Sequence, residues 1–275
     1  MLTIAFLGPQ LTNTHQAAVK RFGKRHRYLH APTVDEVFHR VEREQADYGV
    51  VPIENSLEGS VTRTLDRFID FQHSPLKIHG EIEQPIQHYL FVRPHAKLAK
   101  IRAVLSHPQA LAQCSRWLDE HLPQASRQET NSTAEAVFRL LGRSSADTAA
   151  IARAELAKGS RLTMIHIPEQ RENKTRFLVL GLGQAKRSRR SKTSILFSVK
   201  DKPGALHDAL LVFKREKINM TKIESRPSKR KAWEYLFFVD IEGHESDARV
   251  KRALAALKRS TSLLRVLGSY PVAAR

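Results

Sequence analysis

Residues Ile101–Leu118 read IRAVLSHPQALAQCSRWL. Ile101 to Leu105 is an apolar run of strand length, Ser106-His107-Pro108-Gln109 is a small polar turn, and Ala110 to Leu118 has the apolar spacing of a helix. The same order occurs at the amino end, where Leu2–Leu7 is followed by Gly8-Pro9, then Thr12-Asn13-Thr14, then His15-Gln16-Ala17-Ala18-Val19. It occurs again where Asn131-Ser132-Thr133 precedes Ala134–Phe138, with Ser132 or Thr133 the predicted N-cap. Strand, polar turn and helix in repeated succession predict an α/β architecture with largely parallel sheets. Each such turn leaves backbone N–H groups and a positive helix end at the carboxyl edge of a sheet, where anions bind. Several of them in one chain predict a small, multiply anionic ligand held between two lobes.

The chain has 275 residues, enough for two domains, one of them bilobed. A hydrophobic share of 41% and a charged share of 27% are those of a globular protein. No window approaches eighteen uninterrupted apolar residues, so no membrane span is expected. Met1–Leu7 lacks the basic segment of a signal peptide, and Cys114 has no partner for an internal disulfide, so a cytoplasmic site is expected. Forty-six Lys and Arg against twenty-eight Asp and Glu give +18. That field attracts polyanions non-specifically and equally concentrates small acidic substrates. The basic residues are spread along the chain without zinc-finger, RNA-binding or basic-zipper spacing, so nucleic acid is expected only as a non-specific, salt-sensitive partner. No His, Cys or Asp cluster has metal-ligand spacing, and no metal is expected.

Periodicity stops after Gly181-Leu182-Gly183, and residues 184–192 read as a basic linker around Lys186-Arg187-Ser188-Arg189-Arg190-Ser191-Lys192. Beyond it, strands are predicted at Ile195–Val199, Ile218–Glu224, Trp233–Ile241 and Leu264–Gly268, with helices at Ala205–Lys214 and Ser246–Lys258. Two βαβ halves in about eighty residues predict a ferredoxin-like module (βαββαβ), too small for a catalytic cleft and suited to regulation or dimerisation.

Val51-Pro52-Ile53-Glu54-Asn55-Ser56-Leu57-Glu58-Gly59-Ser60-Val61 is similar to the P-I-E-N-S-x-x-G-x-V segment of the prephenate dehydratase family, which the chain resembles in several motifs, in order. Ser106–Cys114 is similar to the family's second signature. Asn131–Ala136 matches a third, and Thr175-Arg176-Phe177 is the triplet that ends the family's catalytic domain. Gly204-Ala205-Leu206 and Glu224-Ser225-Arg226-Pro227 resemble the two phenylalanine-binding motifs of its ACT domain. One segment departs: where the family has G-P-x-G-T-[FY]-[ST], Leu11 replaces a glycine and Asn13 an aromatic residue. If that glycine serves a positive φ, Leu11 reshapes the loop.

The resemblance implies a periplasmic-binding-protein-like catalytic domain over residues 1–183, with lobes of about 1–78 plus 164–183 and 79–163. An ACT regulatory domain over 193–275 follows the linker. The implied activity is the decarboxylating dehydration of prephenate to phenylpyruvate, without redox or metal cofactor, under phenylalanine control. Arogenate as substrate and a catalytically impaired amino-acid-sensing relative stand as alternatives. No chorismate mutase segment precedes the first strand, so the preceding step is expected elsewhere. The implied catalytic residues are Thr175, Asn55, Ser106, Gln113 and Glu54, with Ser56, Thr12, Thr14 and Phe177 at the substrate. Phenylalanine is implied at Gly204, Ala205, Leu206, Asn219, Glu224, Ser225 and Arg226, between subunits of a homodimer or homotetramer. Alternative readings remain. Thr175 is a donor to the departing hydroxyl or an ordinary strand threonine. Ser106 and Asn55 are carboxylate ligands or caps. Glu54 is a general acid of raised pKa or an ion-pair partner. Alternation puts Arg176 on the face opposite Thr175 and Phe177, toward a salt bridge.

Overall fold

The computed structural model describes residues 1–70, 74–143, 145–157, 159–168, 173–229 and 233–273. Along the chain run β1 (Thr3–Leu7), α1 (Asn13–Phe22), β2 (Arg27–Ala31), α2 (Val34–Glu42), β3 (Tyr48–Asn55), β4 (Gly59–Ser60), α3 (Thr62–Asp70) and β5 (Leu76–Pro85). Next come β6 (His88–Val92), β7 (Ala103–Ser106), α4 (Pro108–Gln113), α5 (Ser115–His121), β8 (Ser126–Glu129), α6 (Thr133–Gly142), β9 (Thr148–Ala152) and β10 (Thr163–Ile167). The last are β11 (Lys174–Leu182), β12 (Ser191–Ser198), α7 (Ala205–Arg215), β13 (Met220–Pro227), β14 (Tyr235–Glu242), α8 (Ala248–Ser260) and β15 (Leu263–Pro271). Two compact units result, one of residues 1–10, 14–84 and 175–275, the other of 11–13 and 85–174.

In the first unit a sheet of order β2-β1-β3-β11-β5 carries β4 on β3. Strands β1, β2 and β3 are parallel, while β11 runs antiparallel to β3. Helix α2 starts where the Thr33 hydroxyl accepts from Glu36 N–H at 3.2 Å, and its stripe Val34, Val37, Phe38 and Val41 is buried. The carboxyl-terminal part folds as β12-α7-β13-β14-α8-β15, an antiparallel sheet of order β13-β14-β12-β15. Alternation gives that sheet two apolar faces. Ile195, Phe197, Val239 and Ile241 pack under Phe213 of α7 and Leu257 of α8. Leu196, Leu236, Phe238, Leu267 and Tyr270 join the core that holds Ile53, Leu65, Phe68, Ile78 and Leu178. At Gly268 the backbones are so close that an added Cβ would lie 2.3 Å from the Ile78 carbonyl oxygen, so only glycine fits.

The second unit is a sheet of order β10-β6-β9-β7-β8, with β7 parallel to β8 and β9 and β6 antiparallel to β9 and β10. Ser132 caps α6 by accepting from Glu135 N–H at 3.0 Å, and the Glu135 carboxylate returns to Asn131 N–H at 2.9 Å. Its core gathers Leu90, Val104, Leu111, Leu118 and Ile151 on one face, and Phe91, Leu105, Val137 and Leu140 on the other.

Both α/β sheets are mixed rather than largely parallel, because β11 in one and β6 in the other reverse direction. The division between units falls after Gln84, not after Ile78. Strand β10, placed by the sequence in the first lobe from residue 164, pairs with β6 in the second. The helix expected over 110–118 breaks at Cys114 into α4 and α5, and β12 begins at Ser191, inside the expected linker.

Candidate active site and its attachment to the carboxyl-terminal domain

Two successive cross-strand pairs close the end of β3 against β11, Thr175 with Asn55 and Arg176 with Glu54, before a bulge between Arg176 and Phe177. The Asn55 carboxamide oxygen accepts from the Leu57 and Glu58 N–H groups at 2.9 and 3.2 Å. Its NH2 therefore faces Thr175 and donates to the hydroxyl oxygen at 3.0 Å. With its oxygen used as acceptor, the Thr175 hydroxyl proton is available to donate away from Asn55. Both side chains are half-buried, which keeps a polar pair reachable.

On the opposite side of the same backbone, Arg176 is buried and meets Glu54 at 2.7 Å, Glu81 at 3.0 Å and Asp240 of β14 at 2.8 Å. Lys192 pairs with Glu81 at 3.0 Å, and Lys222 of β13 pairs with Glu54. Three carboxylates thus balance three cations in a cluster that is largely buried except at Glu54, which is part-exposed. Burial alone would push the Glu54 carboxyl up, but the Arg176 guanidinium and the Lys222 ammonium outweigh it and hold it below the usual carboxylate range. Glu54 is corrected accordingly: it is ionised and paired, not a general acid of raised pKa. Sequence reasoning missed Glu81, Asp240, Lys192 and Lys222, because their partners lie far away in the chain; Lys222 and Glu54 are 168 positions apart.

The remaining expected residues are dispersed. Ser106 is wholly buried and donates to the Ile151 carbonyl at 2.7 Å, tying β7 to β9. Its side chain is therefore neither cap nor exposed ligand, and the cap of α4 is His107, accepting from Gln109 N–H at 3.3 Å. Gln113 accepts from Asn173 at 3.1 Å. Phe177, expected at the substrate, is core among Ile4, Phe6, Val50, Ile82 and Val179. Ser56 is exposed, Thr12 half-buried and Thr14 buried on α1. Leu11 has a φ of 66°, so it adopts the left-handed conformation that glycine would take without strain. Asn13 accepts from Arg153, a largely buried arginine that no motif announced.

In the carboxyl-terminal domain Gly204 has a φ of 78° at the start of α7. Ala205 and Leu206 line a cavity of about 550 Å³ shared with Lys202, Trp233, Tyr235 and Phe237. Asn219, Glu224, Ser225 and Arg226 do not line it. Glu224 accepts from Ser60 at 2.8 Å, and Arg226 pairs with Asp66 at 3.0 Å, while Asn219 and Ser225 are exposed. Within one chain the two expected halves of the effector site do not meet.

The prephenate dehydratase family model matches residues 4–185, and the ACT domain model matches 193–259. The bifunctional chorismate mutase/prephenate dehydratase of Aquifex aeolicus is 46% identical over 272 residues, covering 99% of this chain and 74% of that protein. The prephenate dehydratase of Arthrobacter aurescens, solved in complex with L-Phe, superposes with a TM-score of 0.87 at 36% identity, over 98% of this chain and 90% of that one. GqqA, described as a novel type of quorum quenching acylase, superposes with a TM-score of 0.84 at 27% identity over 98% of both chains. One fold thus hosts more than one chemistry, and the residues at the site carry the assignment. With intact Asn55 and Thr175, and this identity over nearly its whole length, the chain belongs to the prephenate dehydratase family and carries an ACT domain.

Proposed function

We propose that the protein converts prephenate to phenylpyruvate, CO2 and water, with Thr175 as donor to the departing hydroxyl and Asn55 holding it in place. The observation that carries this reading is the hydrogen bond from Asn55 to the Thr175 oxygen, which directs the threonine proton outward. Loss of the ring carboxylate as CO2 leaves its bonding pair in the ring, and that pair expels the hydroxyl on the opposite carbon. The hydroxyl takes a proton and leaves as water, and the ring becomes aromatic. A threonine hydroxyl is too weak an acid to supply that proton alone, so its part is to stabilise the charge growing on the departing oxygen and relay a proton from solvent.

Phenylalanine is the proposed effector, acting at the ACT domain. The loop Gly204-Ala205-Leu206 and the exposed residues Asn219 and Ser225 are completed by a second subunit, so a homodimer or homotetramer is proposed. Support comes from β13, which ends its sheet with Ile223 exposed at 47%. No helix among the described residues is long and apolar enough to cross a membrane. A cytoplasmic site is proposed on the single-cysteine composition.

The test is turnover of prephenate and arogenate by the purified protein, with phenylalanine titrated in. Phenylpyruvate from prephenate and a lower kcat/KM on arogenate are the expected results. No product from prephenate would overturn the assignment, and equal or better turnover of arogenate would move it to that substrate.

A further inference from the structure

We infer that Glu54 and Arg176 are positioning residues through which the ACT domain sets the geometry of the Asn55–Thr175 pair. The inference rests on the catalytic reading of that pair. Neighbouring residues on a strand face opposite ways, so each member of the pair has an ionic neighbour on the reverse side, Glu54 beside Asn55 and Arg176 beside Thr175. Both ionic neighbours are gripped from the ACT sheet, Glu54 by Lys222 of β13 and Arg176 by Asp240 of β14. Strand β13 holds the first lobe along its length: Lys222 also donates to Ser60 at 2.8 Å, Glu224 accepts from Ser60, and Arg226 pairs with Asp66. Ser60 pairs with Glu54 across β4, so the turn that supplies the Asn55 amide with its Leu57 and Glu58 contacts is anchored at both ends by β13. A displacement of β13 or β14 by an effector therefore moves the backbone of residues 54–60 and 175–176 directly. The bulge after Arg176 is where that end of β11 can shift without dragging the buried Phe177.

The test uses the full chain with Lys222→Met, Lys222→Arg and Asp240→Asn. None removes a group from the proposed active site, and each leaves Arg176 at least one carboxylate, so folding is expected to persist and is checked by the melting transition. In Lys222→Met, kcat is expected to fall about tenfold with KM within about twofold, because placement rather than binding is lost. The effect of saturating phenylalanine on kcat/KM should shrink at least about fivefold while its binding, read by calorimetry, persists. Lys222→Arg should restore both. Wild-type kinetics and a full phenylalanine response in Lys222→Met and Asp240→Asn would overturn the inference while leaving the assigned reaction intact. Should the wild-type chain itself not turn prephenate over, the assigned reaction fails and the relay is read by hydrogen exchange instead. Phenylalanine must then alter protection at residues 54–60 and 174–177 in the wild type and not in Lys222→Met, and no alteration in the wild type would overturn it.

Discussion

At Leu11 the sequence and the backbone disagree, and the disagreement has a measurable cost. A β-unbranched but bulky side chain at a φ of 66° carries about 1–2 kcal/mol of left-handed strain. Glycine there removes the strain, and its greater freedom in the unfolded chain returns about 0.5–1 kcal/mol. Leu11→Gly is therefore expected to stabilise the protein by roughly 0.5–1 kcal/mol, read from the denaturant midpoint. Asn55 gives a second prediction at this scale. Asn55→Asp keeps the acceptor for Leu57 and Glu58 but loses the donor to Thr175. A carboxylate facing the Thr175 oxygen turns the hydroxyl proton inward, so kcat should fall by about 10²-fold or more with the fold intact. Motif residues such as Asn55 and Thr175 were legible because each lies in a contiguous string of distinctive residue types. The fate of Ser106 and Phe177 was not, since a motif does not say whether a side chain meets a carbonyl, a core or a ligand.

Among the elements, β15 and β13 decide how the carboxyl-terminal domain is attached. Gly268→Ala places a methyl group 2.3 Å from the Ile78 carbonyl, which must shift β15 away from β5. Overpacking of this kind costs about 1–3 kcal/mol. Its expected signature is an early calorimetric transition for the ACT domain and a weakened phenylalanine response, with the second unit melting as before. The ferredoxin-like order of these strands was readable from their spacing, because each βαβ half carries its own apolar period and turn. The antiparallel course of β11 and β6 was not, because apolar runs such as Phe177–Leu182 bury both faces and give no direction. Nor could spacing reveal that one face of the ACT sheet shares a core with Ile53 and Phe68.

Over the whole molecule the ionic contacts between the ACT sheet and the first lobe set a pH dependence. The carboxyls of Glu54 and Asp66 are held below their ordinary values of 4.5 and 3.8 by Arg176 and Lys222, and by Lys229 and Arg226, against the opposing effect of burial. A lowered folded-state pKa means that their stabilisation is complete above the ordinary values and is withdrawn as pH falls through the lowered ones. Acidification below about pH 4 should therefore loosen the ACT domain first, seen as a separate transition or as new exchange at β13, and cooperativity that stays unchanged well below that pH would contradict it. The proposed catalytic pair and its ionic reverse face meet at two adjacent residues of β11, which makes Thr175 the most direct point of attack. The decisive measurement is phenylpyruvate formation from prephenate by the wild-type chain beside Thr175→Val and Thr175→Ser. Loss of about two to four decades in kcat for valine, with serine recovering most of it, is the predicted result. A valine variant that turns over like the wild type would contradict the assignment of Thr175 to the departing hydroxyl.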